Sequence, residues 1–221
     1  MATNHFTSNN VQEFQKVNHN SISGYEDSPL LTLEESVEKL TPIIPDLKAS
    51  VAIAKKACRR SSNLLTPDES AAIYLYTMPT CFFSRLNQTL RAENRRALKP
   101  WFGFLKLFIS ALKKIPPIDG TFWRAVSGDV GSIFDNEDEH IWWNFNSCSK
   151  KPSIVQYYVG GSGTLFAIET LDARDITEFS AIPIEQEVVL MPGTRLRAKC
   201  KPLKRPDGFL ILHLEDITSQ K

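Results

Sequence analysis

The stretch Ile182-Pro183-Ile184-Glu185-Gln186-Glu187-Val188-Val189-Leu190-Met191-Pro192-Gly193-Thr194 constrains this chain more than any other. A proline turn leads in, Pro192-Gly193 closes it, and the apolar run Val188 to Met191 reads as a buried strand. Glu185 and Glu187 therefore stand where a loop enters a strand that dives into the core. In an extended chain alternate side chains share a face. The two carboxylates would then point the same way, roughly 6.5 to 7 Å apart at about 3.3 Å of rise per residue. Two carboxylates held on one face suit chemistry at a sugar C–N or C–O bond. A solvated strand end produces the same E-x-E pattern, so the rest of the chain has to decide.

The length of 221 residues fits one domain, or one with an accessory lobe. An apolar share of 42% with 13 Phe is enough to fill a sizeable core. The net charge of +1 argues against general attraction to nucleic acid or to an anionic membrane. Cys58, Cys81, Cys148 and Cys200 lack C-x-x-C spacing and read as reduced thiols of a cytosolic protein. His5, His19, His140 and His213 are too scattered to suggest a metal. No apolar run is long enough to span a bilayer, and Met1 to His5 lacks the apolar stretch of a signal peptide. The expected location is cytoplasmic, with the sequon at Asn87-Gln88-Thr89 unused.

Residues 1–28 are rich in Asn, Ser, Gln and His and read as a flexible tail. Residues 29–116 have helical patterning. Thr32 with Glu35, and Thr66-Pro67-Asp68-Glu69, are capping boxes, and Pro45 is placed in the first turn of a helix between them. Leu47, Val51, Ala54 and Cys58 make that helix's apolar stripe. Phe82, Leu86 and Leu90 mark another helix, and Pro100 is read as starting a last one with Trp101, Leu105, Phe108 and Leu112 on its inner side. Arg91, Arg95, Arg96 and Lys99 read as a solvated helix face, and the Tyr and Phe residues of this lobe as core.

After Pro117 the pattern changes. Thr121 to Val126 reads as a strand, Gly128 to Glu139 as a loop ending in an acidic run, and His140 to Ser149 as an aromatic-rich extended stretch. Ser153 to Val159 reads as a helical turn, followed by strands at Thr164–Glu169, Arg195–Lys201 and Phe209–Leu214. Helices first and strands afterwards indicate an α+β fold rather than alternating βαβ units. The absence of G-x-G-x-x-G and of a P-loop argues against a Rossmann or Walker site.

Three polar sites fall in order along the strand half. Arg124 lies within Phe122-Trp123-Arg124-Ala125-Val126, Ser147-Cys148-Ser149 ends an aromatic stretch, and Glu185-Gln186-Glu187 precedes the buried strand. Together they resemble the Arg–Ser–Glu signature of the arginine-specific mono-ADP-ribosyltransferases, which include eukaryotic ecto-enzymes and bacterial toxins. Thr164 to Glu169 is similar to that family's middle strand, and Leu65 to Glu69 and Leu98 to Trp101 are similar to its helical region. The resemblance covers about residues 30–216. Two positions depart from it: Cys148 replaces the middle residue of S-T-S, and Ala125 stands where glycine is common.

The resemblance implies an N-terminal helical lobe (29–116) beside two short, mostly antiparallel sheets (117–221) that form an NAD cleft. It implies NAD, or NADP, as co-substrate, no metal, and an acceptor protein with an exposed arginine. Nucleic acid and membrane are not expected partners. Glu187 would stabilise the oxocarbenium charge on the ribose, Ser147 would hold Glu187, and Arg124 would clamp the diphosphate. Glu185 would align the acceptor guanidinium and take its proton. Ser149 is implied at the dinucleotide, Trp143 or Phe145 beside nicotinamide, and Lys150 to Gly163 as a loop closing over it. The same residues accommodate two other readings, an NAD glycohydrolase and an inactive NAD-binding module.

Overall fold

Capping boxes set two of the helix starts, as the sequence predicts. The computed structural model describes residues 7–8, 21–58, 62–134 and 139–218. Most of the proposed N-terminal tail and residues 135–138 of the acidic run lie outside them. In α1 (Leu33–Val37), Glu35 N donates to Thr32 Oγ1 at 3.4 Å and Thr32 N donates back to the Glu35 carboxylate at 3.0 Å. A 3-10 turn, Glu38–Leu40, continues it to the prolines. Helix α2 (Leu47–Ala57) starts later than expected. Its N-cap, Asp46, is left-handed (φ 53°), so Pro45 lies ahead of the helix and not in its first turn. Leu47, Val51 and Ala54 are buried, and Cys58 is half-buried past the last turn.

The same box opens α3 (Pro67–Thr77), with Thr66 N donating to Glu69 Oε2 at 2.9 Å. Asp68 in its first turn accepts from Leu33 N at 2.9 Å and from Lys55 Nζ at 2.5 Å, which ties three helices together. Helix α4 (Phe82–Arg91) buries Phe82, Leu86 and Leu90. Asn87 is buried too, so its sequon is inaccessible once folded. Pro100 does not start the last helix. Asn94 caps an earlier 3-10 segment, Arg95–Trp101, and α5 follows as Phe102–Lys114. The expected inner residues Trp101, Leu105, Phe108 and Leu112 are all buried. The basic cluster is not a single helix face, because Arg95 turns back and its Nη1 donates to the Leu90 carbonyl at the end of α4 (2.6 Å). Tyr76, Phe82, Phe104 and Phe108 pack ring to ring, with Phe82–Phe104 centroids 4.7 Å apart. These helices form one of two units, Ser21–Pro116 with Ile176–Ile184. Ala181 N donates to the buried Thr77 Oγ1 at 2.8 Å, anchoring the returning segment on α3.

The other unit, which takes in Thr7–Ser8 with Pro117–Asp175 and Glu185–Lys221, holds the strands. In order they are β1 (Thr7–Ser8), β2 (Pro117–Val126), β3 (His140–Trp142), β4 (Asn146–Ser149), β5 (Gly163–Asp175), β6 (Glu187–Leu190), β7 (Thr194–Ala198), β8 (Leu203–Lys204) and β9 (Phe209–Asp216). The expected extended stretch His140–Ser149 is two strands, β3 and β4, and the expected turn at Ser153–Val159 is a full helix, α6 (Pro152–Val159). A 3-10 turn, Gly131–Phe134, interrupts the expected loop. The pairing is mostly antiparallel, with β1–β2 and β5–β9 parallel. Two arms share the long β2–β5 pair. One runs β2–β4–β6 and returns to the end of β5 through Arg174↔Val189; the other runs β5–β9–β7–β3. This is the α+β plan read from the sequence, with its two sheets linked in one hydrogen-bonded network. Among the described residues no helix is long and apolar enough to cross a membrane.

Strand alternation builds two cores. Phe122, Cys148, Phe166, Val188, Leu190 and Leu212 belong to the larger. Ala125, Val155, Leu165 and Phe209 belong to the second, against which Ile154, Tyr158 and Val159 of α6 pack. Gly163, where β5 begins, lies at the edge of this layer. A Cβ there would stand 2.5 Å from the Val126 carbonyl oxygen and 2.7 Å from Val159 Cγ1. Overpacking of this kind costs about 1 to 3 kcal/mol. Gly163→Ala should therefore lower the urea midpoint by a matching amount; an unchanged midpoint would show that β2 yields freely.

Candidate active site

The register between β4 and β6 decides which groups meet. Ser149 pairs with Glu187, Cys148 with Val188, and Ser147 with Val189. Directly paired residues lie on the same side of an antiparallel sheet. Cys148 and Val188 face the core, so Ser147, Ser149 and Glu187 occupy the opposite face. Arg124 reaches them from β2. The ladder between β2 and β4 is a single pair, Trp123↔Ser149, and the next link is a side chain: Arg124 Nη1 donates to the Ser147 carbonyl at 3.1 Å. Arg124, Ser147, Ser149 and Glu187 are all buried, Glu187 completely (0% exposed).

Glu185 arrives differently from the sequence expectation. Pro183–Glu185 form a 3-10 turn, and Gln186 is left-handed at φ 48°. The extended alternation assumed for Glu185 and Glu187 is therefore absent, and β6 begins only at Glu187. The cause lies in the end of β4, which captures the turn's carbonyls. Ser149 Oγ donates to the Glu185 carbonyl at 2.8 Å, and Lys150 N donates to the Gln186 carbonyl at 3.2 Å. The Glu185 side chain is 3% exposed. Its Oε1 accepts a short hydrogen bond from the Tyr158 hydroxyl on α6. Its Oε2 is buried and has no hydrogen-bond partner among the described residues.

Burial controls the protonation of this cluster. It pushes Glu187 up to about 8, with the Glu185 charge adding to the rise and the Ser147 hydroxyl and Arg124 charge opposing it. Burial also raises Glu185, against the hydrogen bond from Tyr158. Burial lifts Tyr158 to about 12, helped by Glu185. It also lifts Cys148 to about 12, which leaves that thiol protonated and unreactive. Among the described residues no group of His, Cys, Asp or Glu is arranged to hold a metal ion.

A family profile described as NAD:arginine ADP-ribosyltransferase matches residues 7–218. The chain belongs to that family. HopU1, an ADP-ribosyltransferase of Pseudomonas syringae pv. tomato, is 21% identical, with 86% of this chain and 89% of HopU1 covered at a TM-score of 0.60. A point mutant of the eukaryotic mono-ADP-ribosyltransferase ART2.2 in complex with NAD is 20% identical over 86% of this chain and 85% of its own, also at 0.60. The ADP-ribosyltransferase Vis in complex with agmatine is 16% identical over 89% and 91%, again at 0.60. These likenesses are of fold. No curated protein sequence matches the chain.

Within this ADP-ribosyltransferase, Arg124, Ser147, Ser149, Glu185 and Glu187 lie in one strand unit and are linked by the contacts above. The Ser149 hydroxyl is engaged with backbone, giving to Glu185 and accepting from Lys151 N at 3.1 Å. Of the two aromatics, Phe145 is fully buried, while Trp143 is half-exposed and lies over Gly193. Ala125 belongs to the smaller core. Most of Lys150 to Gly163 is helix α6 and not loop. Tyr158 was not singled out from the sequence. Its signal is the apolar stripe Ile154, Val155, Tyr158 and Val159, in which the one polar tip needs a partner.

The pH dependence of stability follows from Glu187. Between the ordinary carboxyl value of 4.5 and about 8, the folded state holds a proton that the unfolded state has lost. Folding stability therefore falls as pH rises through this window, and Glu185 acts in the same direction. Glu187→Gln should flatten the decline and raise the melting temperature most at alkaline pH. Parallel profiles for wild type and variant across this range would refute the assignment.

Proposed function

We propose that the protein moves ADP-ribose from NAD to the guanidinium of arginine side chains on an acceptor protein, releasing nicotinamide. Glu185 carries this reading: a carboxylate with one buried oxygen that has no hydrogen-bond partner among the described residues, and whose charge acts on the wholly buried Glu187. NAD in ART2.2 and agmatine, a guanidinium compound, in Vis agree with it.

The residues suit the dinucleotide chemically. Arg124 offers a positive charge for the diphosphate, and Glu187 an acceptor for ribose hydroxyls. Of Trp143 and Phe145, the half-exposed Trp143 is the candidate to lie beside nicotinamide. Nicotinamide is a cationic leaving group, so its glycosidic C–N bond breaks without a general acid and the electron pair stays with the departing ring. The barrier is the developing positive charge on the ribose, and a buried anion stabilises it more strongly than one in water. The Ser147 hydroxyl steadies Glu187, and Arg124 holds β4 through the Ser147 carbonyl. A guanidinium nitrogen attacks the ribose carbon, and its proton passes to Glu185. Burial raises Glu185 above the usual carboxylate range, which makes it a stronger base near neutrality.

One reaction mixture tests these roles, with nicotinamide release and agmatine labelling followed together. Glu187→Gln should lower both by about 10² to 10³. Glu185→Gln keeps size but cannot act as a base, so labelling should fall far more than nicotinamide release. An equal loss of both would place Glu185 at NAD itself. Replacing NAD by NADP in the same mixture reads the donor preference.

A further inference from the structure

Glu185 is the group that arginine transfer needs open, and a tyrosine holds it. The Tyr158 hydroxyl donates to Oε1, Oε2 is buried without a partner among the described residues, and the whole side chain is 3% exposed. A guanidinium engages a carboxylate best through two parallel N–H···O bonds, one to each oxygen. The phenol fills one of those two positions with a neutral donor. Water attacking the ribose carbon needs no such bidentate seat. The two nucleophiles are therefore treated unequally by one hydroxyl.

We propose that Tyr158 is a specificity-determining residue that competes with the acceptor guanidinium for Glu185 and so sets how ADP-ribose divides between arginine and water. The proposal rests on the arginine-transfer reading. The surroundings allow the exchange. Tyr158 is only half-buried, at the rim of the smaller core, where its outer ring neighbour is the 82%-exposed Tyr157 at a centroid distance of 5.5 Å. Helix α6 is held from within by the fully buried Val155. It ends at Gly160 (φ 83°), and a Cβ added at Gly160 or Gly161 would meet nothing within 4 Å. The chain just beyond Tyr158 thus has open space around it, while Tyr158 and Val159 keep one side against the smaller core, so the hydroxyl can turn from Glu185 without the helix leaving its seat.

Tyr158→Phe tests this, since it keeps the ring and its packing and removes only the hydroxyl. A hydrogen bond to a charged group is strong enough that losing this competitor should lower the KM for agmatine about tenfold. The ratio of labelled agmatine to free ADP-ribose should rise. Thermal unfolding of the variant checks that the fold is kept. A KM that is unchanged or higher, with a lower kcat, would overturn competition and make Tyr158 a support for Glu185. Calorimetric titration with agmatine alone supplies a readout that needs no turnover. Tighter binding by Tyr158→Phe supports the proposal, and equal or weaker binding overturns it. If the wild type labels no agmatine, the arginine-transfer reading falls, while the calorimetric comparison still decides the role of Tyr158.

Discussion

A carboxylate with no exposed surface is an expensive thing for a fold to hold, and the candidate site is arranged around holding Glu187. An isolated buried anion would lose several kcal/mol of hydration or take up a proton. Here the antiparallel pairing of β4 with β6 sets Ser147 and Ser149 on the same face as Glu187. Arg124 then adds a positive charge from the neighbouring strand. The balance stays on the side of burial, which is why Glu187 titrates near 8. A group poised there changes charge in response to a modest change in its surroundings.

Backbone contacts do as much as side chains to make this arrangement. Arg124 closes a gap that the β2–β4 ladder leaves after one pair, by taking the Ser147 carbonyl. Ser149 and Lys150 hold the carbonyls of Glu185 and Gln186. The short strand β4 therefore carries one polar motif and, with Lys150 just beyond it, holds the other two, and a change in its register would move them together. Cys148, turned into the core between them, contributes packing rather than chemistry.

Much of this was legible from residue order. The capping boxes at Thr32 and Thr66, the apolar stripes of the helices and the run Val188–Leu190 are local signals, and the structure follows them. The meeting of Arg124, Ser147 and Glu187 came from their order within a family pattern, since no periodicity reveals which strands pair. What escaped was non-local or conformational. Asn94 moved a helix boundary away from Pro100 by capping earlier. The E-x-E spacing suggested a strand because alternation was assumed, whereas carbonyl contacts from β4 favour a 3-10 turn. Tyr158 could be placed on a helix stripe, but its partner lies 27 positions away.

The left-handed Gln186 bears on how such a site can vary over time. It alone converts the 3-10 turn into strand, so the side chain there is half-exposed while the backbone is sharply constrained. Glycine or asparagine would adopt that conformation with less strain, and most polar residues would change only what projects outward. An insertion or deletion is another matter. One residue more or fewer would carry Glu185 off the Ser149 hydroxyl while Glu187 stayed in register on β6. Position 186 thus accepts glycine, asparagine and other unbranched polar residues but no change of length, and drift in this segment is channelled into a narrow choice of residue.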